Sequence, residues 1–396
     1  MQPQLRRCGG IAIVGVRKRV QATKKVRARS SGSGNRITIG QSLTTHLLEI
    51  GMMKLAKLYV TGGQQRNARS MLEGDAYWYK YHKGLILEVD TVTGQAERRA
   101  EYVSPPDVCA DEDPAILFKC GTMAGDKLYV STQTEVLVYN LPDFTLGTYI
   151  SLPCFNDVHH VRPSRDGHLL VANSGLDMVL EITSDGEVLR IWNTLGEDPW
   201  SRVTQEADYR RVTSLKPHRS HPNHIFYLGD EPWVTRFEQR DACSLTNPVK
   251  RIDIGIERVH DGHLFDGHLY FTTVNGCIAI ANVETLQVEE VIDLNTIAPP
   301  DVVLGWCRGL LVEDGTVWVG FSRLRLTKIR RNISWVRQGF RQLLPTRIAC
   351  YDLRRRTCIT EIDLQEHGLD AVFSIFPVPE PLRSAATPAM EFHASS

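Results

Sequence analysis

The sequence predicts an all-β, six-bladed β-propeller, and three observations predict it. First, a short phrase recurs: a turn built on Asp-Gly, then an apolar strand. It stands at Asp166-Gly167-His168-Leu169-Leu170-Val171, at Asp266-Gly267-His268-Leu269-Tyr270-Phe271 and at Asp314-Gly315-Thr316-Val317-Trp318-Val319. Asp-Gly between alternating strands marks a hairpin, because the turn needs positive φ and Gly supplies it at no steric cost. Second, the phrases lie one or two lengths of about 50 residues apart, the length of one four-stranded blade. Third, the strand count closes. Complete groups of four fall at about 115–152, 157–193, 211–254, 258–294 and 306–363.

The remaining strands make the sixth blade. The start of the pattern offers three, Leu58–Thr61, Gly84–Asp90 and Gln95–Val103, and the end offers one, Ala371–Val378. Pairing that last strand inside the first blade closes the ring and leaves no open edge. In blade two the inner strand is expected at Ala115–Cys120, in blade three at Val158–Arg162 and in blade four at Arg211–Ser214. The propeller should occupy 52–380, with a tail at 381–396 expected to be disordered.

The charge distribution separates the first fifty residues from the rest. The chain has 46 Lys/Arg and 46 Asp/Glu in 396 residues, of which residues 1–51 hold ten and one; the remainder is net −9. That acidic body argues against nucleic acid as a partner. Residues 1–51 read as a basic disordered tail, a transit segment or an over-extended start, and Met52-Met53 just before the first strand favours the last. No apolar run approaches the ~20 residues a membrane span needs. Nine scattered cysteines with no Cys-x-x-Cys pair predict reduced thiols, no structural zinc, and a cytoplasmic setting.

The long loops fall on one face, here the top, which binding sites on rigid scaffolds use. The insertion at 323–347 in blade six carries eight Lys/Arg and no acid. Its apolar residues, Ile329, Ile333, Val336, Phe340, Leu343 and Leu344, approximate one helical face. Such a helix suits an acidic membrane surface or a lid, and its place above the top mouth favours the lid. Tyr77, Trp78, Tyr79 and Tyr81 are expected to wall the mouth opposite it.

Inner strands line the axis, so the residues that begin them should meet at the top mouth. One register aligns His159, Thr213, His260 and Arg308, with Asp157 or Asp370 close by and Trp306 beside Arg308. Two imidazoles, a guanidinium and carboxylates around one axis suit acid–base chemistry, a metal, or an anion clamp. A second run, His218-Arg219-Ser220-His221-Pro222-Asn223-His224, has helical ligand spacing that Pro222 opposes. It is expected in a bottom loop, away from the mouth.

Phe155-Asn156-Asp157-Val158, Asp166 to Asn173, and His260-Asp261-Gly262 with Asp266 to Tyr270 resemble the senescence-marker-protein/gluconolactonase family of six-bladed propellers. That resemblance implies lactone or ester hydrolysis assisted by a divalent cation, calcium or similar, near Asn156, Asp157 and Asp261. The additional histidines look like those of arylsulfotransferase propellers, which implies sulfuryl transfer through an axial His as an alternative. The leading expectation is a monomeric small-molecule hydrolase. His159 or His260 would act as base, Arg308 would hold an anionic group, and Thr213, Asp370 and Trp306 would contact the ligand. A non-catalytic ligand- or protein-binding propeller is the alternative from another class.

Overall fold

A computed structural model of the chain describes residues 55–66, 81–300, 302–323 and 342–379. Six antiparallel four-stranded sheets form the blades of a propeller. Blade one contains Lys57–Gln65, Tyr81–Asp90 and Ala96–Tyr102, and its innermost strand is Ala371–Pro377, paired antiparallel with Lys57–Gln65. The ring therefore closes as the strand count predicts. The other innermost strands are Gly121–Ala124, Val158–Pro163, Pro222–Leu228, His263–Phe265 and Trp306–Glu313.

The Asp-Gly turns behave as their chemistry requires. Asp266 and Gly267 both adopt positive φ (44° and 70°), the conformation of a two-residue hairpin turn. Gly167 and Gly315 are positive as well, at 83° and 76°.

Packing follows from the alternation of each strand. Apolar side chains leave both faces of every sheet, and neighbouring blades bury them against each other. Trp318 and Ile348 of blade six meet Leu58 and Val60 of blade one. Tyr59 and Ile86 of blade one meet Leu128 and Leu137 of blade two. Val136 of blade two packs with Val161 and Leu180 of blade three, and Leu170 of blade three with Val234 of blade four. Trp233 then meets Leu269, and Ile278 meets Val317, which completes the circle. Six junctions for six blades is what a closed ring requires.

Two innermost strands differ from expectation. In blade two the strand begins at Gly121, and residues 115–120 are an extended lead that crosses from blade one, with Ile116 N–H on Tyr81 O and Phe118 N–H on Gly62 O. In blade four the expected strand at Arg211–Ser214 is a 3-10 turn, Tyr209–Arg211, and a loop. The real inner strand starts at Pro222. Proline is tolerated as the first residue of an edge strand, where its missing N–H costs no ladder bond. The expected helix in the insertion and the aromatic wall of Tyr77, Trp78 and Tyr79 lie outside the described residues. So do residues 1–51 and the tail at 381–396. At the end of the insertion, Gln342–Leu343 pairs in parallel with Val302–Val303.

No helix among the described residues is long and apolar enough to cross a membrane.

Candidate functional site

The residues just before or within the start of each inner strand converge on the axis at the top. A device recurs there. The inner strands of blades one, three, four and six each carry one extra residue opposite their neighbour, at Phe373, His159, Asn223/His224 and Gly309. Such bulges re-aim side chains and are frequent beside functional sites. At Gly309 the bulge requires positive φ (75°), and it turns the Gly309 N–H onto Asp261 Oδ2 at 2.9 Å.

Histidines from three blades form a continuous file. The ring centroids of His218 and His221 are 4.8 Å apart, those of His221 and His159 4.5 Å, and those of His159 and His260 5.8 Å. Phe373 packs edge-on or tilted against His159 and His260 at 6.4 and 6.0 Å, and the Arg308 guanidinium lies 4.4 Å over its ring. Trp306 flanks the same guanidinium at 5.3 Å. His159, His260 and Arg308 thus meet as expected. The expectation for His218, His221 and His224 is overturned: this run lies at the axis, because it leads directly into blade four's inner strand.

Asp157 and Lys119 form a buried ion pair beside this file. Burial opposes the charge on Asp157, but Lys119, His159 and Lys216 outweigh it and hold its carboxyl well below the usual range. Burial pushes Lys119 down to about 8, against the pull of Asp157, so both remain charged at neutral pH. Removing one partner of such a pair strands the other charge. Lys119→Met should cost about 3–5 kcal/mol. The double variant Lys119→Met/Asp157→Asn should recover part of that loss. Urea unfolding measures both, and a single-variant loss under ~1 kcal/mol would mean that solvent reaches Asp157.

A second cluster involves Asp261, which aligns the neighbouring His260. The Asp261 carboxylate accepts Thr272 Oγ1–H at 2.5 Å and the Gly309 N–H. Its other oxygen faces His260 Nδ1 at 3.5 Å. His260 Nε2 is buried and has no hydrogen-bond partner among the described residues. Burial lowers the His260 pKa, with Asp261 opposing, so the imidazole is neutral at pH 7. Cys120 Sγ lies 3.9 Å from the same Nδ1, but burial pushes its thiol well up and its S–H donates to Phe373 O.

A distant residue shapes the His218–His221 loop. Asp177, from the far end of blade three's second hairpin, accepts backbone N–H groups from Ser220 and His221 on Oδ1 (2.8 Å each). Its Oδ2 accepts from Arg219 N–H (3.0 Å) and Arg202 Nη1 (3.3 Å). Three amides on one carboxylate fix the loop so that His221 can hold positive φ (56°). Nothing in the local sequence signals this clamp, since the anchor lies over forty residues upstream.

The remaining candidates fall elsewhere. Thr213 sits in the loop before the inner strand, partly exposed, and is not in register with His159. Asp370 Oδ2 accepts the Gln65 N–H at 2.8 Å. The oxygens expected to cage a calcium ion do not assemble. Asn156 donates its amide to the carbonyls of Tyr209 (2.9 Å) and Val212 (2.7 Å). Its Oδ1 lies against the Gly175 backbone, within 2.3 Å of where a Cβ there would stand. Asp157 and Asp261 belong to separate clusters, one with the imidazoles of His218 and His221 and the other with His260 and the Cys120 thiol, and neither cluster brings a second carboxylate. Calcium takes six to eight oxygen ligands, so these residues do not fit it.

No protein-family profile matches the sequence, and no curated protein does. Solved structures do match. A crystal structure of a protein of unknown function from Bacteroides caccae superposes with a TM-score of 0.53 at 14% identity, covering 82% of this chain and all of that one. The nidogen/laminin complex gives 0.48 at 10% identity, covering 80% and 97%. Virginiamycin B lyase from Staphylococcus aureus, solved with quinupristin, gives 0.38 at 13%, covering 60% and 73%. At 14% identity the likeness to the Bacteroides caccae protein concerns the fold alone, and the six blades are read from the sheet order itself. The gluconolactonase resemblance rests on the sequence motifs alone.

Proposed function

We propose that the axial site is the active site of a small-molecule hydrolase acting on a lactone or ester that carries an anionic group. The observation that supports this most is the state of His260. Its Nδ1 faces a carboxylate fixed by two donors, and its Nε2 is buried with no hydrogen-bond partner among the described residues. An imidazole oriented in this way is a general base for water. Water attacks the acyl carbon as its proton passes to His260 Nε2. The acyl–oxygen bond then breaks, and the imidazolium returns the proton to the leaving alkoxide. Arg308, held over Phe373 and Trp306, supplies positive charge for the substrate's anionic group or the developing oxyanion. His159 sits beside the base and closes the file toward His221.

The test is turnover of a panel of aliphatic lactones and carboxylate-bearing esters by the full chain. The base must be deprotonated, and burial lowers its pKa. Turnover should therefore be full at pH 7 and fall as the pH drops through a value below 6.5. Binding of a panel member by calorimetry, with no conversion at any pH, would replace this reading with a ligand-binding propeller.

A further inference from the structure

We infer that Asp157, His218 and His221 form a binding site for a divalent transition metal of the zinc class. This is a different ligand set from the oxygen cage that the family resemblance implies. It is also independent of the hydrolase reading.

The geometry is convergent. His218 Nδ1 and His221 Nδ1 face each other at 2.5 Å, and each lies 3.8–3.9 Å from Asp157 Oδ2. All three ligand atoms fall within 4.8 Å of one another. At Zn–N and Zn–O lengths of about 2.1 Å, a tetrahedral ion separates its ligands by about 3.4 Å. The observed spacings bracket that value, so modest ring rotations accommodate an ion. Without one, the two Nδ1 atoms must share a single hydrogen bond, and His218 Nε2 stays buried with no partner among the described residues.

The support around these ligands is that of a metal site. Asp157 uses Oδ1 for Lys119, which leaves Oδ2 directed at the imidazoles. Asp177 holds the backbone of the ligand loop through three amides and so acts as a positioning residue. Two imidazoles and one carboxylate favour zinc, cobalt, nickel or iron over calcium and magnesium, which take oxygen. Three protein ligands leave a fourth position for water or substrate, and His159 packs against the His221 ring at 4.5 Å.

The experiment strips the full chain with a chelator and titrates it with Zn²⁺ alone by calorimetry, then records the visible spectrum with Co²⁺. One equivalent of zinc should bind, with a tetrahedral or five-coordinate cobalt spectrum that lacks a thiolate charge-transfer band. His218→Ala and His221→Ala should abolish binding. Asp177→Asn should weaken it 10–100-fold. Cys120→Ser, in the neighbouring cluster, should leave both signals unchanged, and Ca²⁺ should not compete. His218→Gln serves if the alanine variants unfold, since it keeps the volume but removes the imidazole lone pair. Zinc stoichiometry of zero in the natural chain overturns the inference. So does binding that survives both His218→Gln and His221→Ala, or that is lost in Cys120→Ser. Zinc binding without hydrolysis removes the proposed reaction and keeps this site; hydrolysis without zinc does the reverse.

Discussion

Acid should weaken this propeller steeply between pH 6.5 and about 3, and His160→Gln should remove part of that loss. His160 is fully buried and uses both ring nitrogens as a neutral imidazole. Its Nε2–H donates to Gly121 O at 3.0 Å, and its Nδ1 accepts the Ile225 N–H at 3.1 Å. It thereby staples the inner strands of blades two and four to blade three. Burial and the Arg162 charge push its pKa down to about 3. The unfolded chain takes up a proton near pH 6.5. The folded pKa is the depressed one, so the contribution to stability is complete above pH 6.5 and is lost as the pH falls toward 3. Within that window each such histidine costs about 1.4 kcal/mol per pH unit. The His224 ring packs tilted against His160 at 4.1 Å, so charging one also raises the cost of charging the other. His263, lowered by burial to about 4, adds to the same slope from a partly exposed position. Urea unfolding at pH 8 and pH 5 measures the effect. His160→Gln should be less stable at pH 8 yet show the shallower pH dependence. Parallel slopes for the two proteins would show that His160 carries none of the linkage.

His260→Ala should lower turnover by roughly 10²–10⁴-fold, the usual range for loss of a general base. The fold should survive, because His260 Nε2 makes no bond among the described residues that folding depends on. Asp261→Asn should also lower turnover, but with a changed pH profile, since the amide no longer favours the Nδ1–H tautomer. Its carboxylate also takes the Gly309 N–H and the Thr272 hydroxyl, so some loss of stability accompanies it. Arg308→Lys should raise KM for an anionic substrate more than it lowers kcat, because it keeps the charge but loses the planar fork. If His260→Ala retained full turnover while His159→Ala abolished it, the base would be His159.

The sequence exposed what is periodic. Asp-Gly turns, alternating strands and a leftover strand at Ala371 depend on local chemistry, and they specified the blades and the closure. His159, His260 and Arg308 are legible because each lies at or just before the start of an inner strand whose pattern is clear. What escaped was set by irregular backbone. Lys119 reads as an interruption in an apolar run, and only the extended crossing of residues 115–120 delivers it to Asp157. The His218–His221 run reads as a turn in the sequence because helical ligand spacing needs a helix, and Pro222 opposes one. The chain solves the problem with a loop clamped by Asp177, a contact that no windowed pattern contains. Thr213 escapes for the same reason: Arg211–Ser214 has a strand-like pattern, but the inner strand begins only at Pro222.

The strand that closes the ring also sets the order in which the protein can be completed. The Ser374 N–H bonds Thr61 Oγ1 across 313 residues of chain. Closing a loop of that length carries an entropic cost of about 5 kcal/mol beyond a fixed constant. Hairpins within blades two to five close over a handful of residues, and blade six needs only its insertion besides, so these blades can form while the chain is still being synthesised. Blade one cannot. Until residue 377 has left the ribosome, the edge of Leu58–Gly63 stays unpaired, and at 5–20 residues per second that exposure lasts on the order of tens of seconds. The same strand places Phe373 and its neighbours against His159, His260 and Arg308. The axial site is therefore finished last, in the step that also covers this open edge.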